Sequence, residues 1–192
     1  MNTTTIRPEV IKAMLITAAK KDIRAYLQGL YFDKAGAIVS TDGHRLAVFK
    51  CVTFSENVLI PRTLLDGLDF GRKAQPVTIS IGEDLDSANE RAVTISQGST
   101  TIQGRSTGSR FPDWRRVIPK NCTGEVGQFN PNYIADFGKV AQILKDSRMP
   151  VIHIAHNGTS GALVTIHEND NYVAVLMPQR SEAGSCGWVY GL

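Results

Sequence analysis

Long apolar runs are missing from this sequence. None approaches the roughly 20 residues that a membrane-spanning helix needs. The opening stretch MNTTTIRPEV also lacks the apolar core of a secretory signal. Cysteine is scarce: Cys51, Cys122 and Cys186 are odd in number and follow no ligand spacing. That argues against a disulfide framework or a zinc site and fits a reducing compartment. A cytoplasmic location is therefore expected. Charge of one sign is lacking too. The 21 Lys and Arg against 18 Asp and Glu leave a net charge of only +3. Any nucleic-acid contact must then come from a local patch.

Catalytic signatures are also absent. There is no G-x-S-x-G, no Walker A loop and no G-x-G-x-x-G. Of the four histidines, His153, His156 and His167 fall on expected strands, and His44 follows an Asp-Gly turn. His153 and His167 can share a face near Glu168, but no metal-binding spacing such as H-E-x-x-H occurs. The acidic run Glu83, Asp84 and Asp86 lies between two expected strands and reads as a solvated turn. No catalytic residue, metal or cofactor is expected.

What the sequence does hold is a repeat. Its 192 residues, 42% hydrophobic and 20% charged, suffice for one large or two small soluble domains. A strand–helix–three-strand unit occurs three times. The first has a strand at 3–6, then a helix with Pro8 in its first turn and Val10, Ile11, Met14, Leu15 and Ala18 at helical spacing. Strands at 26–32, 37–40 and 45–52 follow. The second has a strand at 57–60, a brief helix from Pro61 through Leu68, and strands at 77–81, 92–96 and 100–105. The third has a strand at 126–129 and a helix from Asn130-Pro131 with Tyr133, Ile134, Phe137, Val140, Ala141 and Leu144 on its apolar face. It closes with strands at 151–156, 162–167 and 172–177, joined by turns at Asn157-Gly158 and 168–170. The fold class expected is α+β. Side-by-side packing of such units leaves open edge strands that invite a second copy.

Two stretches ask for more than a turn or a loop. In 40–47 (STDGHRLA), Asp42-Gly43 alone accounts for a hairpin. His44, Arg45 and Leu46 beside it can rim an apolar pocket, or merely cap the turn. In 108–122 (GSRFPDWRRVIPKNC), aromatic, proline and arginine residues are mixed, as at interaction surfaces. This segment reads as an extended linker. The tail 181–192 is rich in Gly and Ser but ends with Trp188, Tyr190 and Leu192. It is either a flexible end or an aromatic anchor for the pocket.

These two stretches, with 172–180 (YVAVLMPQR), resemble the bacterial DNA polymerase III beta subunit, the sliding clamp, in the family's own order. Residues 26–29 (YLQG) and 59–62 (LIPR) resemble it as well, and the likeness covers about 3–180. It implies the DNA clamp fold, built from βαβββ half-domains with helices on one face of antiparallel sheets. It assigns 1–108 to a middle domain of two units and 109–123 to a linker. Residues 124–180 become half of a C-terminal domain, and 181–192 a flexible tail.

The likeness also implies a pocket for peptides of replicative or repair polymerases and of the clamp loader. By position, Leu27, Thr41, Gly43, His44, Arg45 and Leu46 form one side. Pro112, Arg116 and Val117 come from the linker, and Val175, Met177, Pro178 and Arg180 from the last strand. Arg45, Arg116 and Arg180 suit acidic or polar residues flanking an apolar anchor. Gln179 stands where the family has a second methionine. Lys12, Lys20, Lys21, Arg24, Lys139, Lys145 and Arg148 are candidates for sequence-independent contact with duplex DNA phosphates. The expected function is a homo-oligomeric clamp that encircles DNA as a processivity factor. The alternative is a decoy or adaptor that competes for clamp-binding peptides without encircling DNA.

Overall fold

The computed structural model describes residues 2–145 and 148–180. The expectations for Trp188, Tyr190, Leu192 and Cys186 therefore fall outside the described residues. Unit one comprises β1 (Asn2–Ile6), α1 (Pro8–Thr17), β2 (Gly29–Asp33), β3 (Ala37–Thr41) and β4 (Arg45–Lys50). Unit two comprises β5 (Val58–Pro61), α2 (Arg62–Leu65), β6 (Val77–Leu85), β7 (Arg91–Gln97) and β8 (Thr100–Arg105). The third contributes α3 (Pro131–Lys145), β9 (Ile152–Ala155), β10 (Ala162–Ile166) and β11 (Asn169–Leu176).

Two antiparallel sheets result, in the orders β1-β6-β7-β8 and β5-β2-β3-β4-β11-β10-β9. Units one and two exchange their first strands, so β1 borders β6 and β5 borders β2. The longer sheet crosses from unit one to the third unit at β4 and β11, where Leu46 faces Val175 and Val48 faces Val173. Alternation along β4 sorts its side chains. Ala47 and Phe49 join the main core under α1 and α3, while Leu46 and Val48 point to the opposite face. Ile11, Met14 and Phe137 are wholly buried in that main core.

Three expectations need correction. The strand at 126–129 does not form, because no fourth unit among the described residues offers it a sheet to join. The chain at 25–27 forms a 3₁₀ turn that buries Leu27, and β2 begins only at Gly29. The acidic run is partly strand: β6 continues to Leu85, and the turn starts at Asp86, whose carboxylate accepts the N–H groups of Ala88 and Glu90.

The linker differs as well. Expected as an extended linker, it docks on the face of the longer sheet opposite the main core. Phe111 stacks on Tyr31, with ring centroids 4.4 Å apart, and meets Tyr26 edge-on. A 3₁₀ turn at Trp114–Val117 follows, capped by Asp113. Trp114 Nε1 donates to Asp33 Oδ2 at 2.8 Å, and Arg115 pairs with the same oxygen at 2.7 Å. Burial pushes the Asp33 pKa up, but the hydrogen bonds from Arg115, Ala35 and Trp114 outweigh it and hold the carboxyl below its ordinary value.

Candidate functional site

The β4–β11 seam ends in the Asp42-Gly43 turn, and this turn is heavily braced. Asp42 Oδ1 accepts the N–H groups of His44 and Arg45, while Thr41 Oγ1 accepts from Gly43 and donates to the Arg45 carbonyl. Gly43 adopts φ +90°, which a residue with a side chain reaches only with strain. The His44 carbonyl then accepts the Met177 N–H at 2.9 Å, tying the turn to the end of β11.

Beside this turn lies a cleft of about 300 Å³. Leu27, Leu46 and Val175, all buried, provide its apolar floor. Thr41, Gly43 and Arg45 close one side, and Pro112, Trp114 and Val117 of the linker close the other. Met177, 41% exposed, and Val117, 48% exposed, stand at the rim where an incoming side chain would cover them. Gly161 packs closely behind these residues: a Cβ there would come within 2.8 Å of Val175 Cγ1 and 3.2 Å of Met177 Sδ.

The structure thus brings Leu27, Thr41, Gly43, Arg45, Leu46, Pro112, Val117, Val175 and Met177 into one cleft. His44 lies outside its lining, with its ring 6.1 Å from that of Tyr133 on α3. Pro178 and Arg180 line a neighbouring concavity with Gly127, Gln128 and Thr159. Arg116 is exposed and lines neither.

The role expected for Arg45 is corrected. Its guanidinium points into the protein, where it pairs with Asp42 at 2.9 Å and Asp136 at 2.8 Å and donates to the Ile16 carbonyl. It also lies 4.6 Å from the centre of the Tyr133 ring. A side chain so committed, and 8% exposed, braces the cleft wall and is not offered to a ligand's acid groups. Arg24, expected on or just after α1 as a phosphate contact, lies beyond the end of α1 at Thr17 and lines the cleft, paired with Asp22.

Tyr26, Phe111 and Trp114 line the cleft, and Tyr133 and Asp136 support it, without having been singled out for those roles. The aromatic linker motif held the signal for Phe111 and Trp114. Tyr133 and Asp136 gave none, being an apolar-face residue and an ordinary helix acid.

The candidate phosphate contacts separate into groups. Lys12 and Lys145 line one groove with Arg7 and Arg72, where α1 and α3 run together. Lys145 is also paired with Glu168, and Lys139 with Asp136. Lys20, Lys21 and Arg148 are exposed beyond the helix ends. His153 and His167 stand with rings 5.8 Å apart, and the described residues hold no group of three or more potential metal ligands.

Two exchanged-strand units, a sheet continuing into a third and an apolar cleft at the seam describe a clamp-type protein. Residues 2–113 match the family model for the DNA polymerase III beta subunit, central domain, and the chain belongs to that family. It is 30% identical over 185 residues to the beta sliding clamp of Salmonella typhimurium, covering 91% of this chain and 45% of that protein. Against the Haemophilus influenzae beta sliding clamp it is 32% identical over 160 residues, covering 76% and 40%. The chain therefore spans less than half the length of these relatives.

Solved clamps share the fold. The beta subunit of Borrelia burgdorferi, in complex with a natural product, superposes with a TM-score of 0.74 at 17% identity, covering 94% of this chain and 64% of that one. A Pseudomonas aeruginosa clamp bound to griselimycin superposes with a TM-score of 0.68 at 18% identity, covering 93% and 65%.

Proposed function

We propose that this chain works as a sliding-clamp protein that holds short peptides of replication and repair proteins and works without catalysis. The observation that carries this reading is the cleft itself. It gathers nine of the carried-over pocket positions, from four separate stretches of chain, around an apolar floor. A leucine or phenylalanine anchor fits such a floor, and burying one contributes about 1.5–3 kcal/mol. Ordering of the peptide opposes that gain, so binding is weak to moderate. From the cleft the peptide runs past His44 and Met177 toward the concavity of Pro178 and Arg180. Its partners are replicative or repair polymerases and the clamp loader, met in the cytoplasm.

The domain assignment belongs to the same proposal: a middle domain at 1–108, a linker at 109–123, half of a C-terminal domain at 124–180 and a tail at 181–192. The match of residues 2–113 to the central-domain model supports its first part.

DNA binding is the finer part of the proposal. Arg7, Lys12, Arg72 and Lys145 share one groove with the single carboxylate of Glu9, and this excess of cations suits a phosphate backbone. A second reading is a decoy that captures clamp-binding peptides off DNA, and the pairing of Lys145 with Glu168, which lowers the charge the groove offers, favours it. Retention on nicked circular but not linear duplex supports the ring, and equal loss from both supports the decoy. Titration of a labelled peptide of Gln-Leu-x-Leu-Phe type tests what the two readings share. Saturable binding supports it, and no binding by the folded chain overturns it.

A further inference from the structure

The third unit breaks a rule that the first two obey. Units one and two trade their first strands, and each traded strand runs antiparallel to its host. In each trade the strand's last residue meets the host's first: Ile6 faces Val77, and Pro61 faces Gly29. The third unit holds the same parts, a candidate first strand at 126–129, then α3, then β9–β11. No fourth unit stands among the described residues to trade with it.

Neither side of the unmade trade has its strand partner, although Gly127 bonds to His156 and Gln128 to Gln179 within the chain. β9 is a sheet edge bordered by β10 alone. Segment 126–129 forms no strand, and Val126 is 77% exposed. Val151, just before β9, is 50% exposed. An open edge flanked by exposed apolar side chains is a template for pairing with another chain.

We propose that a second copy of this chain completes the third unit. The two third units meet about a two-fold axis and exchange their 126–129 segments, each becoming an antiparallel edge strand on the other's β9. Phe129 stands two residues before α3, as Ile6 stands two before α1. The register of β1 on β6 then sets Phe129 opposite Ile152 of the partner subunit, and Val126 opposite the partner's Ala155. A different protein could lend β9 a strand but would leave 126–129 without a host. A second copy satisfies both at once, because a two-fold contact is self-complementary. The exchange gives up Gly127 N–H to His156 Nδ1, Gln179 N–H to the Gln128 carbonyl and, beside the segment, Gly158 N–H to the Glu125 carbonyl, and replaces these local bonds with a strand ladder.

This proposal rests on the strand exchange and not on peptide capture, so a peptide-binding monomer would sink it and leave the other reading standing. Light scattering on the full chain is expected to give twice its 21.0 kDa mass, or a higher even multiple. Val126→Asp combined with Val151→Asp is expected to halve that mass with an unchanged circular dichroism spectrum, since both side chains are exposed in the single chain. In the unsubstituted protein, amide exchange across 126–129 and 152–155 is expected to slow as concentration rises. A monomer at every concentration, an oligomer indifferent to the two substitutions, or concentration-independent exchange in both segments would each overturn it.

Discussion

Arg45 lines the cleft while its charge is turned away from it. Its charge is neutralised from two sides, by Asp42 in the turn and by Asp136 on α3. The pairing joins unit one to the third unit directly under the cleft. Breaking a largely buried pair leaves the remaining charges uncompensated, at a cost of about 3 kcal/mol. Arg45→Met is therefore expected to lower stability by about that amount in urea unfolding. Asp136→Asn should cost less, since Asp42 stays in place. A loss that is the same for both would show that Asp42 contributes nothing. In the sequence, Arg45 stood out as a pocket residue, but with the wrong task. The reason is distance: Asp136 is 91 positions away, and only the packing of α3 on α1 brings it close.

Two elements position the cleft, and each can be tested alone. Helix α3 starts at Pro131 with Asn130 before it, and Asn130 Oδ1 accepts the Asn132 N–H at 3.0 Å. Loss of such a cap costs about 1 kcal/mol. Asn130→Ala should remove about that much stability and loosen Tyr133 from Arg45, read as faster amide exchange in the first turn of α3. The docked linker offers a pH test. The Asp33 pKa is depressed in the folded chain, so its contribution is complete above the unfolded value, about 3.9. It fades as pH falls through the lower folded value. Fluorescence of Trp114 should report undocking in that acid window, and Asp33→Asn should abolish the pH dependence. A transition unchanged by Asp33→Asn would assign it to another carboxylate.

Most helices and strands were legible because their apolar periodicity is strong, as in Val10, Ile11, Met14 and Leu15. The segment 126–129 was not, because alternation says that a strand can form and not whether a sheet edge is there to receive it. The linker misled for a related reason. Pro112 and the arginines suggested an extended chain, while the buried faces of Phe111 and Trp114 depend on Tyr31 and Asp33, some 80 residues away.

At the scale of the molecule, one sheet runs from β5 through β9 and carries the cleft at its seam, so the cleft exists only while unit one and the third unit stay joined. That makes the site a property of the assembly of units and not of any single motif. The cations of Arg7, Lys12, Arg72 and Lys145 lie in the separate groove beside α1 and α3. The proposed peptide capture and the proposed DNA contact should therefore respond to different substitutions.

The measurement that bears most directly on the cleft is an anisotropy titration of a labelled Gln-Leu-x-Leu-Phe peptide, comparing the unsubstituted chain with Met177→Ala plus Val117→Ala. Both side chains stand exposed at the rim, so the fold should survive their truncation. If the cleft holds the anchor, affinity should fall roughly 10-fold or more, about 1.4 kcal/mol. Equal affinity of the two proteins, with both folded, would place the peptide elsewhere and contradict the account.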